Sequence, residues 1–317
     1  MTRWLVLFCL LTAVTAASAR AAEPESAQTA AYLVRVGLVG DDTMDPPAEV
    51  AADPSKTCEG ASFSRSIKYG ESDLNLLDVA SGDSSETSPR PVLVFVAGES
   101  FAGESGTAED IGAVDDQALC FAVRHGMVGV RVNYRLAPAD PWPAGAKDVA
   151  AATSWVHQNI DLFGGSRAQV VAVGYSVGAF HVASLLAHPE FQTSDFDFAG
   201  AVLVSGIYHS SAEANEAEKS YFGADANKYD ERSAFPGILN ITTPILLAWS
   251  ALDPPRLIAQ GEGLKERLCN SPSQCPRTTV LTSRNSLASV FATDAASGSL
   301  ARPMLELVRE IEARGLP

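Results

Sequence analysis

Basic residues are scarce in this 317-residue sequence: 23 lysines and arginines stand against 38 aspartates and glutamates, a formal net charge of −15. Nucleic-acid affinity rests mainly on Lys and Arg neutralising phosphates, so the balance speaks against a nucleic-acid partner. Histidine is rarer still, with five in all, the last of them His209. Beyond the N-terminal stretch no apolar run approaches the roughly twenty residues that a membrane-crossing helix needs. No Cys-x-x-Cys pair and no clustered histidines offer a zinc site, and neither a phosphate loop nor a dinucleotide fingerprint occurs, so no cofactor is implied. No internal period suggests a solenoid. What is present is 46% apolar residues with only 19% charged. That content excludes a disordered chain, and the length suits one α/β unit.

The first residues read as an address. Met1-Thr2-Arg3 is a short basic start, Trp4 to Val14 is apolar, and Ala19-Arg20-Ala21 has the A-x-A form of a cleavage site. Residues 1–21 are therefore expected to be a signal peptide, with export to a periplasmic or extracellular space and no membrane attachment once it is cut. Export permits disulfides. Cys58, Cys120, Cys269 and Cys275 remain, and four cysteines allow three pairings. A local Cys269–Cys275 bridge would leave Cys58 with Cys120.

Residues 22–61 carry Asp45-Pro46-Pro47 and no periodicity, and read as an irregular extension. From Ser62 two short alternating segments, Phe63–Tyr69 and Asp73–Val79, predict an antiparallel pair turning at Gly70. The continuous run Pro91–Val96 suits a strand buried on both faces of a parallel sheet. Further strands are expected at Val128–Asn133, Gln169–Gly174, Gly200–Ser205, Pro244–Trp249 and Thr278–Leu281. Between them lie helices near Asp110–His125, Val149–Phe163, Val177–Ala187, Arg256–Leu268 and Leu300–Arg314. Strands alternating with helices predict a mostly parallel sheet covered on both faces, here over residues 62–317 with a lid-like acidic insertion near 209–236.

Gly174-Tyr175-Ser176-Val177-Gly178 has the form G-x-S-x-G, with Val170–Val173 running directly into it and an apolar helix directly after. Such a turn brings neighbouring elements too close for a Cβ at its glycines and holds the serine at the sheet's carboxyl edge. The Val177 N–H, at a helix N-terminus, would then face a developing oxyanion. With Asn133-Tyr134-Arg135-Leu136-Ala137-Pro138, Trp142-Pro143-Ala144-Gly145 and Leu252-Asp253-Pro254-Pro255, the elbow makes the chain resemble α/β-hydrolases of the esterase/lipase group, close to feruloyl-esterase-like carboxylesterases. The resemblance runs from about Ser62 to the C-terminus. It implies an α/β-hydrolase fold, carboxylic-ester hydrolysis of a small acyl substrate, Ser176 as nucleophile and Asp253 as the acid that orients an imidazole.

Two departures from that family pattern bear on activity. Where such esterases carry a His-Gly-Gly loop, this chain has Ala97-Gly98-Glu99. The N–H groups of Gly98 and Glu99 could still line an oxyanion hole, but the Glu99 carboxylate would oppose an anion there. The base should lie in the loop after Thr278–Leu281, and the family's histidine falls on Ser286. A serine hydroxyl cannot take the nucleophile's proton at neutral pH. Among the five histidines, His209 at the start of the insertion is the one candidate substitute base. His181 reads as a satisfied structural residue, and His125, His157 and His188 read as surface or capping residues. The acidic residues of the insertion, Glu218 and Asp230 among them, read as a solvated face. Two readings follow: a weak or inactive esterase, or a non-catalytic relative that keeps the pocket for binding. Nothing in the sequence fixes the oligomeric state.

Overall fold

The computed structural model describes residues 58–83, 88–96, 98, 100–103, 108–193, 197–211, 214–271, 275–282 and 300–315. The expected signal peptide, nearly all of the N-terminal extension, Glu99 and Ser286 lie outside the described residues.

Among the described residues, eight strands form one sheet in the order β1-β2-β4-β3-β5-β6-β7-β8. They are β1 Ser62–Lys68, β2 Leu76–Ser81, β3 Arg90–Val96, β4 Val128–Val132, β5 Gly165–Tyr175, β6 Gly200–Val204, β7 Ile245–Ser250 and β8 Arg277–Leu281. β1 pairs with β2, and β2 with β4, in antiparallel fashion. All pairings from β4 through β3, β5, β6 and β7 to β8 are parallel. This is the α/β-hydrolase fold expected from the sequence, with the antiparallel pair at one edge. β2 starts three residues later than its alternation suggests. Asn75 folds its side chain back to accept from the Ser72 N–H, turning residues 72–75 into the hairpin loop.

The buried run in β3 shows why the centre of the sheet reads as continuous apolar sequence. Val92, Val94 and Val96 pack on one face with α2 (Ala144–Asn159) and α3 (Val177–Ala187). Leu93 and Phe95 pack on the other with α1 (Ala108–Arg124) and α7 (Ala301–Gly315). Between β6 and β7 the insertion forms two short helices, α4 (Glu216–Phe222) and α5 (Tyr229–Arg232), and α6 (Pro255–Cys269) follows β7. Cys58 is bonded to Cys120 and Cys269 to Cys275, the pairing in which the short loop closes on itself. Among the described residues no helix is long and apolar enough to cross a membrane.

Glu216, Asp225, Asp230 and Glu231 form the solvated face predicted for the insertion, and Glu218 departs from it. Glu218 is fully buried and holds Arg256 of α6 through two bonds of 2.6 and 2.5 Å. Tyr221 and Phe222 bury their rings against Phe101, whose centroid lies 5.0 and 5.3 Å from theirs. A helix carrying Glu216 and Lys219 outward can turn Glu218, Tyr221 and Phe222 inward because positions three and four apart share a face.

Candidate active site

Ser176 stands between the end of β5 and the start of α3, with φ 51° and ψ −114°. A side-chain-bearing residue avoids that region unless its surroundings impose it, and at such turns the strain is part of how the residue is presented. Two constraints impose it here. The Ser176 N–H donates to the Val204 carbonyl of β6 at 2.8 Å. The chain also doubles back so tightly that a Cβ on Gly174 would lie 2.6 Å from both Ala179 Cα and Gly178 O. Ser176 is half-buried, and among the described residues none hydrogen-bonds its hydroxyl. Val177 begins α3, so its N–H is one of those with no acceptor inside the helix. Gly98, just past β3, is buried.

Asp253 lies on the turn after β7, two strands along the same edge from the elbow. Its Oδ2 accepts the Ser205 hydroxyl at 2.6 Å and the Ser250 N–H at 2.8 Å. Burial pushes the carboxyl up from its ordinary value, and these two bonds pull against that rise. Ser205, directly past β6, has φ 49°, so the two neighbouring strand ends both close in left-handed geometry. Sequence reasoning missed Ser205. Its place at the end of a strand on the catalytic edge was the available signal. Tyr208 also has its hydroxyl buried near Gly206 and Asp253, and that burial pushes its ionisation up.

The histidines are placed as follows. His209 Nε2 lies 2.8 Å from Asp230 Oδ1, its N–H donates to Gln260 Oε1, and its carbonyl accepts from Gln260 Nε2. None of the hydrogen bonds it makes among the described residues reaches Ser176. His181, on the elbow helix, is buried among Phe101, Tyr134 and Tyr221, and a Cβ on Gly145 would fall 2.4 Å from its ring. Burial pushes its pKa down to about 3, so the ring is neutral. Contrary to the expectation of a satisfied residue, its Nδ1 has no hydrogen-bond partner among the described residues. His157 is buried and not a surface residue, whereas His188 caps the C-terminus of α3 as expected. His157 Nε2 donates to the Asp197 carbonyl at 2.8 Å and His188 Nε2 to the Ser233 carbonyl at 2.9 Å, each tying a distant loop to the body. The His125 ring lies 4.4 Å from that of Phe121. Among the described residues no cluster of His, Cys, Asp or Glu could hold a metal.

A half-exposed serine on a strained turn, a helix N-terminus beside it and a braced carboxylate on the same sheet edge form the frame used for acyl transfer. The structures of esterase B from Lactobacillus rhamnosis and of a bacterial heroin esterase share this fold. The first, an inhibited form, superposes with a TM-score of 0.67 at 14% identity, covering 81% of this chain and 89% of that one. The second has a TM-score of 0.63 at 20% identity, covering 91% of each. Esterase LipC of Mycobacterium tuberculosis is 33% identical over 121 residues, 38% of this chain and 28% of its own. Human carboxylesterase 5A is 32% identical over 162 residues, 48% of this chain and 27% of its own. The matched segments thus span about a quarter of the length of these two relatives. The sequence profile described as the carboxylesterase family matches residues 71–230, half of this sequence and the part that contains β2 through β6, the elbow and α4. By that match the chain belongs to the carboxylesterase family.

Proposed function

We propose that this is an exported carboxylesterase-family protein that keeps a pocket for a small carboxylic ester but hydrolyses it weakly or not at all. Residues 1–21 serve as its address. Ser176 is the retained nucleophile, Asp253 the retained triad acid, and Gly98 and Val177 serve the oxyanion, with Glu99 assigned to the same role by its place in the sequence alone. Ser286 stands where the family's base would be. The observation that carries the reading is the engagement of four of the five histidines. His209 is held by Asp230 and Gln260, His157 and His188 by backbone carbonyls, and His181 is sealed inside the aromatic cluster. The sequence holds no histidine beyond His209. Without an acceptor for the Ser176 proton, catalysis falls by about 10⁶-fold, or about 8 kcal/mol of barrier.

Turnover of 4-nitrophenyl acetate and butyrate by the mature protein and by Ser176→Ala tests this. The expected result is a wild-type rate within about tenfold of the variant's. Steady turnover at about 10 s⁻¹, the median for enzymes, that is abolished by Ser176→Ala would overturn it.

A further inference from the structure

A cavity of about 410 Å³ opens between α6 and the segment leaving β6, within the size range of small-molecule sites. Neither Ser176 nor Asp253 lines it. Its floor is one face of α6, with Ala259, Gly263 and Leu264, and its walls include Tyr208 and Phe235. Gly263 leaves the helix backbone bare there: a Cβ at this position would meet no atom within 4 Å. At one end the Arg267 guanidinium lies over the Phe235 ring, 4.4 Å from its centroid.

The polar groups around this space are unequal. Gln260 spends its side-chain amide on the backbone of Tyr208 and His209. Arg256 is neutralised by buried Glu218, and His209, at the mouth, is held by Asp230. Arg267 has no ion-pair partner among the described residues, although the chain carries 38 acidic side chains against 23 basic ones. A guanidinium held over an aromatic ring by its π-face does not use up its N–H groups, which can make a two-pronged bond to a carboxylate. Ala259, Leu264 and the Phe235 ring supply apolar contact, and Ser211 adds a polar group at the edge.

We propose that this cavity is a second binding site, for a monocarboxylate with an apolar body, its carboxylate on Arg267 and its chain lying over Gly263 and Leu264 against Phe235. The site does not depend on whether Ser176 turns over esters.

Isothermal titration of the full mature protein with octanoate, and separately with 1-octanol, tests the proposal. Saturable one-to-one binding of octanoate, with octanol at least tenfold weaker, is the expected result. Arg267→Gln should bring octanoate down to the level of octanol. Gly263→Leu, which places a side chain in open space, should abolish binding while thermal unfolding stays cooperative. Ser176→Ala should leave the affinity unchanged. The proposal is overturned by a lack of saturable octanoate binding, by equal affinity for octanol, by binding that survives Arg267→Gln or Gly263→Leu, or by loss in Ser176→Ala, which would place the ligand at the elbow. Should Gly263→Leu fail to fold, Arg267→Gln against wild type still decides.

Discussion

The ends of β5 and β7 carry the two halves of the candidate site in different materials. At β5 the work falls to backbone: a positive-φ serine, a glycine whose Cβ would strike the next helix, and an N–H at the start of α3. At β7 it falls to side chains, with Asp253 fixed by the Ser205 hydroxyl and the Ser250 N–H, and α6 tied to the insertion through Arg256 and Glu218. A backbone device is enforced by the packing of the whole sheet and persists while the fold persists. A side-chain device depends on single residues, so a base supplied by one side chain can be lost without disturbing the strands around it. On the proposed reading, that asymmetry would let an intact elbow coexist with Ser286 at the base's position in the sequence.

The largest effect is expected at the backbone end. Gly174→Ala forces a methyl to 2.6 Å from the backbone of α3, and should cost about 3 kcal/mol, the upper end of overpacking, read from the midpoint of urea unfolding. A loss below about 0.5 kcal/mol would break the claim that packing enforces the elbow. Next comes Arg256→Ala, which leaves Glu218 buried without its cation. Discounted for the partial exposure of Arg256, the loss is about 2–3 kcal/mol, and Glu218→Gln combined with Arg256→Ala should recover part of it.

His181 sharpens the comparison from within the elbow helix. Its folded pKa of about 3 lies below the 6.5 of the unfolded ring, so the unfolded state takes up a proton first as acid is added. The stability it contributes is fully present above pH 6.5 and drains away as pH falls from there towards 3. His181→Phe should flatten unfolding free energy against pH between 6 and 4 by up to about 1.4 kcal/mol per pH unit. An unchanged slope would mean the ring is hydrated. The smallest change is expected from Ser205→Ala, which removes one bond to Asp253, costs about 1–2 kcal/mol and lets the Asp253 pKa climb further, as a carbon-detected NMR titration would show.

Much of the fold is legible in the sequence because its signals are local. The β-branched run at Val92–Val96 can only be a strand covered twice, and Val170–Val173 meeting Gly174 can only turn sharply. Ser176 is singled out by the same local pattern, and Asp253 by the resemblance, at Leu252-Asp253-Pro254-Pro255 after a strand. Contacts across the chain are not legible. The insertion reads as solvated because its acids are dense, yet Glu218 is buried by docking on α6, 38 residues away. His157 reads as a surface or capping residue, yet a loop 40 residues on closes over it; His188 does cap α3, but its bond to the Ser233 carbonyl, 45 residues on, is not legible. The Ser205–Asp253 bond spans 48 residues and exists only because β6 and β7 are neighbours.

Placing a histidine at Ser286 tests the central claim most directly. The triple variant Ser286→His, Ala97→His, Glu99→Gly should hydrolyse 4-nitrophenyl butyrate at least 100-fold faster than the parent, in a reaction that Ser176→Ala in the same background abolishes. A parent already as fast as its restored variant would contradict the account.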